Sequence, residues 1–155
     1  MESMDHGLHV VLVAPEIPPN TGSIARLCAG TDTELHLVEP LGFSLEDRYL
    51  RRAGLDYWPH VRLHVHTSLA SVYDTCSGGR FFYATKKTGR LYTEVSYRRG
   101  DFLVFGCETR GLPEALLGAH AAATIRLPQN DKIRSQNLAN AVSAILYEAI
   151  RQISG

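Results

Sequence analysis

The chain has 155 residues, 45% of them apolar, which is enough for one domain with a real core and too little for two ordinary ones. Lys+Arg and Asp+Glu each number 16, so the net charge is zero and bulk attraction to nucleic acid or to an anionic membrane is not advertised; an RNA-binding surface would have to come from local clustering. Three cysteines, Cys28, Cys76 and Cys107, occur without a CxxC pair, which argues against a disulfide framework or a zinc site and for a reducing compartment.

Met1 to His9 lacks the charged-then-apolar order of a signal peptide, and no apolar run reaches the length of a membrane span. The expectation is a cytoplasmic, single-domain protein over residues 1–155. Leu8–Ala14 is a short, continuous, β-branched run, the pattern of a strand buried on both faces of a parallel sheet. A helix follows, with Asn20 or Thr21 as its cap and Gly30 as its end. Leu35–Val38 is a second strand and Val61–Val65 a weaker one, and Ser68–Asp74 fits a short helix. Arg80–Ala84, Phe102–Gly106 and Thr124–Leu127 complete the strands. The polar, basic stretch Lys86–Asp101 has no clear period and is read as a long surface loop, a feature more often functional than idle. Leu138, Val142, Ile145, Leu146, Ala149, Ile150 and Ile153 share one face of a closing helix, with Ser135 as its capping candidate. Alternating strands and helices imply an α/β domain with a mostly parallel sheet.

Common nucleotide and catalytic signatures are missing. No G-x-G-x-x-G follows the first strand, and Gly106–Gly111 is followed by Leu112-Pro113 where a P-loop needs Lys and Ser/Thr. The seven histidines form no H-E-x-x-H pattern; His64 and His66 would share a strand face, but no metal site is expected. No serine lies in G-x-S-x-G.

Three segments stand out together: Pro15-Glu16-Ile17-Pro18-Pro19-Asn20-Thr21-Gly22-Ser23-Ile24-Ala25-Arg26-Leu27-Cys28, then Phe105-Gly106-Cys107-Glu108-Thr109-Arg110-Gly111-Leu112-Pro113, then Ile125–Pro128 with Arg134-Ser135-Gln136-Asn137-Leu138-Ala139-Asn140. In this order the set resembles the three motifs of the SPOUT superfamily of RNA methyltransferases, above all its small, single-domain TrmL (YibK-like) group. Leu50-Arg51-Arg52-Ala53-Gly54-Leu55-Asp56-Tyr57 fits that group as well, and the likeness runs from Leu8 to Gln152.

The resemblance implies a C-terminal deep trefoil knot over roughly residues 80–155, S-adenosylmethionine held there mainly by backbone, and a homodimer whose two subunits complete the site. It implies 2′-O-methylation of the wobble ribose, cytidine or modified uridine, of leucine tRNAs. Cofactor contacts carry over to Ala84, Gly106, Glu108, Gly111, Leu112, Leu127, Ser135 and Asn137. By spacing alone Gly106 and Gly111 are turn residues, and Ala84 and Leu127 ordinary core. Arg26 matches the family's catalytic arginine; an arginine is too basic for a general base, with a pKa above about 12, so its expected work is to orient the hydroxyl and the adjacent phosphate and to stabilise developing negative charge. Its bland reading is a surface arginine on an amphipathic helix. Asn20 is either a cap or a substrate-positioning group.

RNA candidates are Arg48, Arg51, Arg52, Lys86, Lys87 and Arg90, with Arg98 and Arg99 further on and Tyr92 and Tyr97 interleaved as stacking partners. Runs of this kind also occur as plain solvated loop. The chain departs from the family where Gln129 replaces a usual Met, Gln136 an apolar residue and Ala139 a Ser. Alternatives are a SPOUT 2′-O-methyltransferase for another tRNA position or ribosomal RNA, a non-catalytic knotted RNA-binding protein, and, remotely, an atypical nucleotide-using oxidoreductase.

Overall fold

A computed structural model of the chain describes residues 4–48, 50, 52 and 58–154. Seven parallel strands form one sheet: β1 (His9–Val13), β2 (Glu34–Val38), β3 (Arg62–His66), β4 (Phe81–Ala84), β5 (Arg90–Leu91), β6 (Phe102–Phe105) and β7 (Thr124–Arg126). Their spatial order is β3-β2-β1-β6-β4-β7-β5. The chain winds from β1 out to the β3 edge and crosses to β4. It then places β6 between β1 and β4, and β7 between β4 and β5. Such reversals open a crevice at the carboxyl ends of the strands, where ligands of open α/β sheets bind.

Burial follows strand parity. Val10, Leu12, Leu35, Leu37, Leu103 and Phe105 face α1 (Pro18–Gly30) and the final helix, together with Ile24, Ala25, Cys28, Val142, Ile145, Leu146 and Ala149. Val11, Val38, Phe102 and Val104 face the other way, against Val72 of α2 (Leu69–Thr75) and partly buried Leu116 and Leu117 of α3 (Glu114–Ala119). The closing helix α4 (Leu138–Ser154) buries Val142, Ile145, Leu146, Ala149 and Ile150, the stripe its period predicts. Among the described residues no helix is long and apolar enough to cross a membrane.

Several expectations about boundaries are corrected. Helix α1 begins at Pro18, with Ile17 at the cap position and no side-chain cap bond, so Asn20 and Thr21 lie inside its first turn. Pro18 and Pro19 suit that turn because they lack N–H groups the helix could not satisfy. Gly30 does end the helix, and Thr31 closes it by donating its hydroxyl to the Leu27 carbonyl at 2.8 Å. Ser68 caps α2 by accepting the Ser71 N–H. Ser135 does not cap α4: Asn137 does, its Oδ1 accepting the Asn140 N–H at 3.2 Å. Helix α3 carries no apolar period long enough to be predicted.

Residues 86–101 are largely irregular and exposed, as expected of a surface loop, but the loop is anchored. They contain β5 and bury Val95 and Tyr97 against α4. Tyr97 donates its hydroxyl to the Tyr92 carbonyl at 2.6 Å and its N–H to Gln152 Oε1 at 2.9 Å, so it is core and not an exposed stacking ring. The segment's end is fixed by Asp101, whose buried carboxylate takes two bonds from the Arg80 guanidinium at 2.9 and 3.0 Å and the Arg98 N–H at 2.7 Å.

On the second face a row of imidazoles crosses three strands. His9 Nδ1 lies 2.9 Å from His36 Nε2, His36 Nδ1 lies 3.0 Å from His66 Nε2, and His66 Nδ1 lies 3.3 Å from Ser71 Oγ. Beside them His64 meets Glu34 at 2.8 Å, and His9 stacks on Phe102. Burial, joined for His36 by its neighbours His9, His64 and His66, lowers the pKa of His9, His36 and His66, that of His36 to about 3. The unfolded chain, with histidines near 6.5, therefore binds more protons than the native one. Their contribution to stability is complete above about pH 6.5 and shrinks as pH falls towards their folded values. The melting temperature should drop from about pH 7 to about pH 5, less steeply in a His36→Leu variant; a thermal scan flat over that range would contradict the assignment.

Candidate active site

At the carboxyl ends of β4, β6 and β7 three stretches converge on a cavity of about 420 Å³, a size suited to a small-molecule ligand. They are residues 84–87, residues 105–112 and the run from Leu127 to Ile145, with Glu114 and Leu117 of α3 beside them. Ala84, Gly106, Glu108, Gly111, Leu112, Leu127 and Ser135, carried over above as cofactor contacts, all line it. Asn137, the eighth, stands beside it as the cap of α4.

The wall at Gly106 admits no side chain. A Cβ built there would lie 2.1 Å from the Gly111 carbonyl carbon and 2.2 Å from the Leu112 nitrogen. Gly111 takes a left-handed φ of 69° and donates its N–H to the Cys107 carbonyl, closing the 107–111 turn. Here the glycines serve both the turn and the pocket. Phe105, Leu112, Leu127 and Ile145 supply apolar surface, while Thr85, Thr109, Ser135 and several charged residues of the converging loops supply polar groups. A pocket of this size, with a Cβ-free wall and apolar surface beside it, fits an adenosine-bearing cofactor.

Glu108 works outward from this wall. Its Oε1 accepts the Glu16 N–H at 2.8 Å; its Oε2 accepts the Ile17 N–H at 2.9 Å and the Asn20 side-chain N–H at 3.3 Å. A carboxylate 88 to 92 positions away in sequence thus supplies the cap that α1 does not provide for itself. Glu16 reciprocates, its Oε1 accepting the Thr109 hydroxyl at 2.7 Å and N–H at 3.1 Å, bonds that hold its carboxyl below the usual range. Asn20 Oδ1 then accepts from Asn137 Nδ2 at 3.2 Å, which ties α1 to the start of α4. Asn20 is therefore a joint between helices.

Arg26 and Asn20 do not line the cavity of their own chain. Arg26 lies on the exposed face of α1, with Ser23 and Gly30. Lys86 and Lys87 do line the cavity, whereas Arg90 sits in the edge strand β5 and donates to the Ala122 carbonyl at 3.2 Å. Arg48 and Arg52 are exposed on a separate stretch; Arg51 and residues 53–57 of that motif lie outside the described residues. Arg98 and Arg99 fall at the opposite end of the sheet, just before β6, with Arg99 3.6 Å from Asp5. Sequence reasoning missed Thr85, Arg110 and Arg134 as lining residues. Arg110 and Arg134 stand inside the quoted motifs, so their nearness to Gly111 and Ser135 was the available signal. Gln129, a departure from the family pattern, donates to the Arg134 carbonyl at 3.3 Å and so braces the loop between β7 and α4.

A wound parallel sheet with this glycine-walled pocket, built from the second and third motif segments and hydrogen-bonded to the first, defines an RNA methyltransferase of the SPOUT type. The chain belongs to the SpoU rRNA Methylase family, whose model matches residues 7–147. It is 48% identical over 147 residues to the tRNA (cytidine(34)-2′-O)-methyltransferase of Escherichia coli K12, covering 94% of each chain. It is also 48% identical over 144 residues to the enzyme of that name from Methylovorus glucosotrophus, covering 92% of this chain and 94% of the other. A solved structure concerned with 2-OH methylation of C/U34 on tRNA superposes with a TM-score of 0.91 at 46% identity, covering 96% of this chain and 97% of that one. The SpoU methyltransferase AviRb from Streptomyces viridochromogenes, solved with AdoMet, gives a TM-score of 0.85 at 26% identity over 97% of this chain and 62% of that one.

If the Glu108 carboxylate holds α1 to the pocket wall, Glu108→Ala should lower the unfolding free energy by about 1–2 kcal/mol. Urea denaturation checks this, and an unchanged midpoint would remove Glu108 from that role.

Proposed function

We propose that this chain transfers the methyl group of S-adenosylmethionine to the 2′-hydroxyl of the wobble nucleotide of tRNA, cytidine or modified uridine, with leucine isoacceptors as its substrates. The observation that carries this reading is the meeting of the second and third motif segments at one glycine-walled cavity, with the first segment held to its wall by Glu108. The names of the relatives above supply the position on the RNA. When bound, S-adenosylmethionine supplies an activated methyl on a sulfonium.

The residues around the cavity do the remaining work. Ala84, Gly106, Leu127 and Ser135 hold the cofactor through backbone, Gly111 and Leu112 shape its wall, and Glu108 and Asn137 fix the loops that carry them. Arg26 orients the ribose hydroxyl and its neighbouring phosphate, and stabilises the negative charge that grows on oxygen as its proton leaves. The position of Arg26 on the outer face of α1, off its own cavity lining, supports a homodimer in which each protomer's arginine serves a site completed by the other. α1 packs on α4, whose Tyr147 is 51% exposed, and the outer faces of these two helices are the proposed dimer surface. The convergence of residues 84–87, 105–112 and 127–138 is the arrangement a C-terminal trefoil knot would create, and we assign the knot there within a single cytoplasmic domain. Lys86, Lys87, Arg90, Arg48, Arg51 and Arg52 are assigned to RNA phosphates, and no metal is required.

Labelled S-adenosylmethionine incubated with unmodified tRNA should yield a 2′-O-methylated cytidine or uridine at the wobble position, identified by mass spectrometry. A product at another position or in ribosomal RNA would redirect the substrate assignment. Arg26→Ala should lower turnover roughly 100-fold or more while cofactor affinity, measured by calorimetry, stays within about twofold. Unchanged turnover would sink the catalytic role of Arg26.

A further inference from the structure

We infer that the cofactor pocket is charged so as to fill in company with RNA: its cationic rim opposes the cationic cofactor alone, and a substrate phosphate relieves that opposition. The inference rests on the methyltransferase reading above and concerns the same cavity.

Lys86, Lys87, Arg110 and Arg134 line the cavity and all four are exposed at its mouth. The acidic lining residues are Glu108 and Glu114. Both Glu108 oxygens are engaged by donors from residues 16, 17 and 20, so its charge serves α1. By formal charge the lining carries an excess of two positive groups in a chain whose net charge is zero. S-adenosylmethionine carries a sulfonium, an ammonium and a carboxylate, a net charge of +1. Its one carboxylate can engage one of the four cations, which leaves a surplus for which the cofactor has no partner. A polyanion does: phosphates flanking the methylated ribose would lie against this rim.

The chemistry makes the arrangement directional. As the methyl moves from sulfur to the ribose oxygen, the hydroxyl proton is released and the sulfonium becomes a neutral thioether. The product, S-adenosylhomocysteine, has zero net charge and feels no such opposition. In surroundings close to water, each surplus charge about 8 Å away changes affinity about twofold, and salt screens it over about 10 Å. The free protein should therefore favour the product over the cofactor by about three- to tenfold at low salt. RNA should narrow that gap by raising affinity for the cofactor.

Calorimetry with S-adenosylmethionine, S-adenosylhomocysteine and sinefungin separates charge from methyl contacts, since sinefungin keeps the +1 charge without the methyl. The companion RNA is an anticodon stem-loop with 2′-deoxyribose at the target position, which binds without turnover. Without RNA, S-adenosylhomocysteine should bind about three- to tenfold tighter than both cationic ligands at low salt, and the ratio should fall towards one at high salt. A Lys86→Gln, Lys87→Gln, Arg110→Gln variant should bind S-adenosylmethionine more tightly than the wild type, a gain that a merely damaged pocket could not give. The stem-loop should raise affinity for the two cationic ligands more than for S-adenosylhomocysteine. Equal affinities indifferent to salt and RNA, or a variant weakened towards all three ligands alike, would overturn the inference and leave the methyltransferase reading intact. Failure of all three ligands to bind, with or without RNA, would overturn the cofactor assignment and the inference with it.

Discussion

The Glu108 carboxylate is the constraint on which the geometry of the site depends. It accepts hydrogen bonds from the backbone of Glu16 and Ile17 and from the Asn20 side chain, all at the mouth of α1. A helix that opens with two prolines has fewer N–H groups to satisfy, but it still presents the positive end of its dipole, and here the compensating charge comes from the wall of the pocket. The same side chain therefore decides where the 106–112 turn sits and where α1 points. Through Asn20 and Asn137 the constraint reaches the start of α4. Displacing Glu108 would move the pocket wall and the arginine-bearing helix relative to each other, although the two are far apart in sequence.

Much of the architecture was legible because its signals are local. Short β-branched or aromatic runs such as Leu8–Ala14 and Phe102–Phe105, bounded by turn residues, fit strands buried on both faces, and the stripe of α4 has a single sensible period. The pocket residues were legible only through the ordered motif set, since Ala84 and Leu127 are indistinguishable by type from any core alanine or leucine. The failures have a common physical form. The cap of α1 comes from Glu108, nearly ninety positions away or more, so no local rule could have removed Asn20 and Thr21 from that role. The Lys86–Asp101 stretch is mostly loop, as its lack of period implies, but its anchors were not legible because they come from tertiary partners: Gln152 of α4 for Tyr97, and Arg80 for Asp101. Ser135 lost the cap of α4 to Asn137 by two residues, a shift within the ordinary slack of helix boundaries.

Charge is distributed on the same principle of local need. A chain with zero net charge still gathers Lys86, Lys87, Arg110 and Arg134 around one opening. It also sets aside cations for structural work, as with Arg80 on buried Asp101. Counting charge over the whole chain therefore says little about where an anion would be welcome, and position on the carboxyl side of the sheet says much more.

The imidazole row behind the sheet has a property that its members lack singly. A neutral imidazole carries one N–H, so two linked rings can share only one hydrogen at each contact. With His9, His36 and His66 in series and Ser71 at the far end, the shared hydrogens must all point the same way along the row. The tautomers of the three side chains are consequently a single collective choice between two arrangements, and fixing the hydrogen on one ring assigns it on the other two.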